Sequence, residues 1–243
     1  MASIDHGFRA SGFLRPFRPA LRMAGRHVLD AILPPQCLSC RTLVAEPGQL
    51  CADCWREIRF IEAPFCSVCG RPFEFDSGPE TLCGDCAARK PSFARARAVM
   101  VYDDHSRDLV LGFKRGDRLE GADFIMPVPL HRRRLFTRRF NQAAVLAHSV
   151  GKTAQVQVLS DGLMRTRATP TQAGLSRSGR FRNVRGAFAI RPRHRAAIRD
   201  RHIILVDDVM TTGATVDGCA RAILRAGAAR VSVITLARVV QHL

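Results

Sequence analysis

Blocks of apolar and polar positions change period in a regular order along the second half of the chain. Residues 203–206 (IILV) form a short, wholly apolar, β-branched run, the pattern of a central strand of a parallel sheet covered on both faces. Two acids follow and are expected to leave its carboxyl end. From Val216 the apolar positions fall at helical spacing through Cys219, Ala220, Ile223 and Leu224, with Gly227 as the expected stop. Residues 231–237 return to a strand pattern and complete a β-α-β unit. Further strands are predicted at 98–102, 124–128 and 156–159, and helices at 106–113 and 141–150, the second stopped by Gly151. Alternation of this kind predicts an α/β domain with a mostly parallel sheet.

Between the central strand and its helix stand Asp207, Asp208, Val209, Met210, Thr211, Thr212, Gly213, Ala214 and Thr215. A helix N-terminus offers unpaired N–H donors to an anion, and ligands of open α/β sheets sit at strand ends of this type. This pattern of apolar strand, paired acids and Thr/Gly loop resembles the phosphoribosyl pyrophosphate (PRPP) signature of type I phosphoribosyltransferases. The resemblance implies that Asp207 and Asp208 hold the ribose hydroxyls and that Met210 to Thr215, with Val209 before them, hold the 5′-phosphate. The same two acids are the candidate catalytic residues.

Composition places this domain in a larger frame. The chain has 243 residues, enough for one full domain and a smaller one. Its formal net charge of +17 rests on arginine, since the only lysines are Lys90, Lys114 and Lys152, and arginine suits bidentate phosphate contacts. No apolar run reaches the length of a membrane span, so a protein without membrane insertion is expected. Residues 1–25 are basic and broken by Gly and Pro, without a continuous apolar core of a secretory signal, and read as a flexible tail. A cytoplasmic location follows as the expectation.

Eight of the nine cysteines form four Cys-x-x-Cys pairs: Cys37 and Cys40, Cys51 and Cys54, Cys66 and Cys69, Cys83 and Cys86. Two such pairs supply the four thiolates of a structural zinc site with no open position. Two zinc ribbons in sequence are the simplest assignment, and interleaved pairing satisfies the same spacing. Residues 26–92 are therefore expected to form a double zinc ribbon domain holding two structural zinc ions. Residues 93–243 form the α/β domain. Cys219, on the apolar helical stripe, is expected in the core.

Charge is uneven within the α/β domain. Across residues 124–198 the only acid is Asp161, against fourteen arginines and Lys152. One basic cluster, MPVPLHRRRLFTRRFNQ, follows a strand, and its prolines stiffen a turn from which Val128, Pro129, Leu130, His131 and Arg132 would hold a diphosphate. The second, residues 165–188, lacks apolar periodicity and reads as a long polar loop, a lid over the anion site. Its candidate anion contacts are Arg165, Gln172, Arg177, Arg180 and Asn183, with Lys114 from an earlier segment.

Taken together, the double ribbon, PVPLH, RRFNQ, the Arg-rich lid and VDDVMTTGAT resemble the ComF-type competence proteins over residues 28–239. The resemblance implies a type I phosphoribosyltransferase-like fold, PRPP bound with Mg²⁺, and a role in handling single-stranded DNA during natural transformation. Arg132, Arg133, Arg134, Arg138, Arg139 and Phe140 are the candidate nucleic-acid contacts, arginines tracking phosphates while rings stack on bases. The family's usual glycine before its Phe-Asn-Gln is Arg139 here. An active phosphoribosyltransferase on an unidentified small-molecule acceptor is an alternative reading. Another is an adaptor whose zinc ribbons recruit a DNA-processing protein while the transferase domain is catalytically silent.

Overall fold

Five parallel strands carry the molecule's centre. The computed structural model describes residues 34–37, 39–46, 49–75, 78–103, 121–130, 141–167, 169 and 176–240. Two short helices, α1 (Ala52–Arg56) and α2 (Gly84–Ala88), lie in the cysteine-rich part. They are followed by β1 (Arg95–Val101), β2 (Phe124–Pro127), α3 (Gln142–Ala154) and β3 (Gln157–Val158). Next come β4 (Leu163–Arg165), α4 (Arg177–Val184), β5 (Phe188–Ile190), a 3₁₀ turn and α5 (Arg195–Ile198). The chain closes with β6 (His202–Met210), α6 (Ala214–Arg225) and β7 (Arg230–Arg238).

The main sheet has the order β1-β7-β6-β2-β3, parallel throughout, while β4 and β5 pair antiparallel beside it. The apolar run of β6 explains its central place. Ile203 and Leu205 are fully buried on one face, and Ile204 and Val206 pack into a second cluster on the other. Each such side chain contributes about 1.5–3 kcal/mol when removed from water. Cys219 is also fully buried, as its stripe predicts.

Several elements depart from the sequence pattern. Asp207 and Asp208 do not leave the strand: β6 continues to Met210, Asp207 lying opposite Thr235 and Val209 opposite Ala237, because β7 runs equally far and keeps supplying partners. Gly151 does not stop α3, which ends at Ala154 with Gln155 left-handed at its C-cap. At Gly151 the helix instead runs so close to Val156 and Val158 that a Cβ would collide with them. Nor is the Arg-rich segment wholly a loop. Ser176 accepts a hydrogen bond from the Gly179 N–H and caps α4, whose Val184 is fully buried and whose Phe181 packs on the core.

The cysteine-rich part is not an independent appendage. Residues 59–61 run antiparallel beside β1, with Ile61 N–H donating to Val99 and Val101 N–H to Arg59. Ala96 N–H donates to the Val68 carbonyl at 2.7 Å, and Cys66, Cys69, Cys83 and Cys86 belong to the same buried cluster as Ile203 and Val231. Among the described residues no helix is long and apolar enough to cross a membrane.

Candidate functional site

The end of β6 builds the site. Asp207 Oδ1 accepts from its neighbour's N–H at 3.1 Å, and Asp208 Oδ1 accepts from Val209 N–H at 2.8 Å, so the backbone fixes both carboxylates. Burial pushes the Asp207 carboxyl well above the usual range, and the charge and hydrogen bonding of Asp208 push it further. The Asp208 N–H and the positive charge of Arg165 act in the opposite sense. Arg165, at the end of β4, is near enough for its charge to act on Asp207, while its guanidinium lies 5.4 Å over the Phe188 ring and donates to Thr169.

Beyond Met210 the chain turns through Thr211 and Thr212 to Gly213, whose φ of 78° is open to glycine at little cost. No side chain caps α6, so none competes with an anion for the positive end of its dipole. Asp207, Val209, Met210, Thr211, Gly213, Ala214 and Thr215 border one small hollow at this turn. The strand end beside it is β2. Val128 N–H donates to Val206 at 2.8 Å, and Asn141 ties the following turn to α3 by donating to the Val128 carbonyl while accepting from Ala143 N–H. Pro129 and Leu130 leave from this point, next to the acids' strand.

Two clusters of four sulfurs stand apart from this loop. The Sγ atoms of Cys37, Cys40, Cys51 and Cys54 lie within 4.8 Å of one another, as do those of Cys66, Cys69, Cys83 and Cys86. Zinc bonded tetrahedrally at about 2.3 Å puts its sulfurs about 3.8 Å apart. The Cys40–Cys51 and Cys69–Cys83 separations, both 3.6 Å, fit that spacing. Knuckle N–H groups help: Cys54 donates to Cys51 sulfur, and Cys69 and Cys83 to Cys66 sulfur. A hydrogen bond with Cys86 pulls the Cys69 thiol down to about 4, against burial and aided by the Arg238 charge, while that same bond and burial push the Cys86 thiol up, so the first thiolate of the cluster sits on Cys69. The ribbons are thus sequential, not interleaved.

Known proteins share this arrangement. The double zinc ribbon domain family matches residues 28–87 and the phosphoribosyl transferase domain family residues 146–242. The DNA utilization protein YhgH of Escherichia coli (strain K12) is 33% identical over 230 residues, which cover 85% of this chain and 98% of that protein. Competence protein ComFC of Bacillus subtilis (strain 168) is 27% identical over 223 residues, 81% of this chain and 87% of that one. The chain belongs to the ComF family. Among solved structures, glutamine PRPP amidotransferase from B. subtilis aligns with 46% of this chain and 22% of its own at 21% identity and a TM-score of 0.32, too distant to bear on function.

Of the residues that the ComF pattern singles out, the structure brings Asp207, Asp208, Arg165 and the 210–215 turn together at one end of the sheet, with Val128 one strand away. Arg180 on α4 lines a larger cleft against Thr211, Thr212 and Gly213. The Asn183 carbonyl accepts from Arg167 at 3.1 Å, so its backbone serves to fasten α4. Arg177 opens α4. Lys114, His131, Arg132, Arg133, Arg134, Arg138, Arg139, Phe140 and Gln172 lie outside the described residues, as do residues 1–33 and 104–120.

Sequence reasoning passed over Asp217, Arg89 and Arg238. Asp217 is 2% exposed and accepts from Ser92 N–H at 2.7 Å and Arg221 at 2.6 Å, with Arg89 at 3.7 Å. Arg89 lies 4.1 Å over the Phe181 ring. An acid amid the apolar stripe of α6 was the available signal, since a buried carboxylate requires partners.

Proposed function

We propose that this ComF-family chain binds PRPP with Mg²⁺ at the 207–215 segment and uses that site in handling single-stranded DNA. The observation that carries the reading is the pair Asp207 and Asp208 held by backbone N–H groups beside the uncapped start of α6. Adjacent carboxylates suit a ribose diol, and a helix start without a competing side chain suits a 5′-phosphate. Arg165 supplies a positive charge toward the acids from the β4 side. Mg²⁺ would be held mainly by PRPP oxygens and water. The two zinc ions are structural, because each site offers four protein sulfurs.

The DNA half rests on the names of the relatives, DNA utilization protein YhgH and Competence protein ComFC, and on the Arg-rich sequence. A few arginines and stacked rings suffice for sequence-tolerant binding of one strand. Calorimetric titration of PRPP with Mg²⁺ into the zinc-loaded protein, with and without a short single-stranded oligonucleotide, tests both halves. Binding that weakens at least tenfold in an Asp207→Asn, Asp208→Asn double variant is expected, as is a change of PRPP affinity with the oligonucleotide. No PRPP binding by the folded protein overturns the first half. Identical PRPP affinity with and without DNA overturns the second.

A further inference from the structure

Residues 34–62, which carry the first cysteine cluster, run against the charge of the whole chain. They hold Arg41, Arg56 and Arg59 against Glu46, Asp53, Glu57 and Glu62, all four acids exposed, in a protein of net charge +17. Two of those arginines already face a carboxylate, Arg56 at 3.3 Å from Asp53 and Arg59 at 3.8 Å from Asp103. Glu57 and Glu62 have no ion pair among the described residues. Zinc on four thiolates adds two formal negative charges. This is an acidic face on a basic protein. It also carries an aromatic pair: Trp55 is 50% and Phe60 42% exposed, with ring centroids 5.5 Å apart. The bridge from Phe60 to Met100 fixes it at the sheet edge, and α1 buries no residue of its own. Tryptophan is highly buried on average, so a half-exposed ring set against a second aromatic marks an interaction surface.

We propose that this face is the docking site of the chain's own residues 8–26. That segment contains Arg9, Arg15, Arg18, Arg22 and Arg26, no acid, and Phe8, Phe13 and Phe17. Its arginines meet Glu57, Glu62 and the other acids, and its rings pack on Trp55 and Phe60. The connection is short. The sulfurs of Cys37 and Cys54 lie within 4.8 Å of each other, and Trp55 follows Cys54, so the described chain begins three residues from a direct neighbour of the aromatic pair. The seven residues 27–33 span at most about 25 Å, several times the sulfur separation. Such a tether sets an effective concentration on the order of millimolar, so a contact too weak to hold a separate molecule is populated within one chain. The same acids repel the phosphates of a nucleic acid, which disfavours that occupant here. Residues 8–26 also lie outside both matched domains, so the contact is an addition to them.

Trp55 is the only tryptophan of the chain, and its emission therefore reports this face alone. In the zinc-loaded full chain at low salt, Trp55 should be shielded from acrylamide, to the same degree at every protein concentration. Sodium chloride at about 1 M, which cuts the screening length to about 3 Å, should raise the quenching and shift the emission to longer wavelength. A full-chain Arg15→Glu, Arg18→Glu, Arg22→Glu variant should show the same change at low salt. Adding Glu57→Arg and Glu62→Arg to that variant exchanges the charges and should restore the shielding. Zinc content and the melting transition of each variant show that it is folded. Equal quenching in the wild type and the triple variant overturns the proposal and leaves the face to another molecule. Shielding that disappears on dilution overturns it as well, because a second copy then covers the face. So does a triple variant whose shielding the charge exchange fails to recover, since the segment then docks away from Glu57 and Glu62.

Discussion

Arg238, the last residue of β7, donates to the Cys69 carbonyl at 2.7 Å and to the Cys69 sulfur at 3.4 Å across 169 residues of sequence. The main sheet thus reaches directly into the second zinc ribbon. A tetrathiolate zinc centre carries two formal negative charges, and a buried guanidinium beside it offsets part of that charge without solvent. The contact explains why four cysteines from the ribbon and β-strand residues share one buried cluster.

Arg238→Ala should therefore cost more than a surface arginine would. It leaves the Cys69 carbonyl buried without its donor, a loss of about 1–3 kcal/mol before lost packing is added. Urea unfolding of the zinc-loaded protein should show a lower midpoint, and the second zinc should leave at lower chelator concentration. An unchanged midpoint and unchanged zinc retention would mean that the contact is incidental to both.

The two metal sites differ in exposure, and that difference predicts their order of release. Cys40 is exposed and Cys51 and Cys54 are partly so, whereas all four cysteines of the second cluster are buried. A coloured chelator in excess should remove zinc in two phases of one equivalent each, the first cluster in the fast one. Cys40→Ser should delete the fast phase and leave the slow one unaltered. A single phase of two equivalents would contradict the separation.

Asp207 carries a stability cost at the candidate site. Its carboxyl is raised by burial and by Asp208, so the folded state binds its proton more tightly than the unfolded chain does. The stabilisation from that proton is complete below the ordinary carboxyl range and is lost as pH rises through the raised folded value. Above the raised folded value, where the carboxyl is ionised, Asp207→Asn should raise the melting temperature while weakening PRPP, because the amide keeps the shape without the buried charge. A variant that melts at the wild-type temperature across pH 4 to about 8 would show that Asp207 is not under strain.

How much of this was legible in the sequence depended on whether a feature was local. The β6 run, the α6 stripe and the Cys-x-x-Cys pairs are short-range patterns, and Ile203, Cys219 and the two sulfur clusters lie where those patterns place them. The end of β6 was not legible, because strand pairing past two acids depends on β7, more than twenty residues later. Helix α4 was hidden for a different reason. Its buried side is little more than Phe181 and Val184, too few to stand out among six arginines of its segment. The larger cleft beside Arg180 could not be foreseen at all, since its arginines come from both the ribbon and the last strand.

Gly151 shows how a long-range approach can overrule a local signal. Glycine inside a helix costs about 0.8–1.0 kcal/mol relative to alanine, so Gly151→Ala would stabilise an isolated α3. In the fold, a Cβ at this position would stand 2.5 Å from Val158 Cγ2 and 2.9 Å from the Val156 carbonyl oxygen. Neither neighbour yields easily, as Val158 is paired with Ile125 in the sheet and the carbonyl is backbone. Overpacking of this kind costs about 1–3 kcal/mol and outweighs the propensity gain. Gly151→Ala should lower the urea midpoint, and Val158→Ala in the same chain should recover part of the loss by removing the methyl contact while the carbonyl contact remains. If Gly151→Ala stabilises the protein, α3 and β3 do not approach as closely as their backbones indicate.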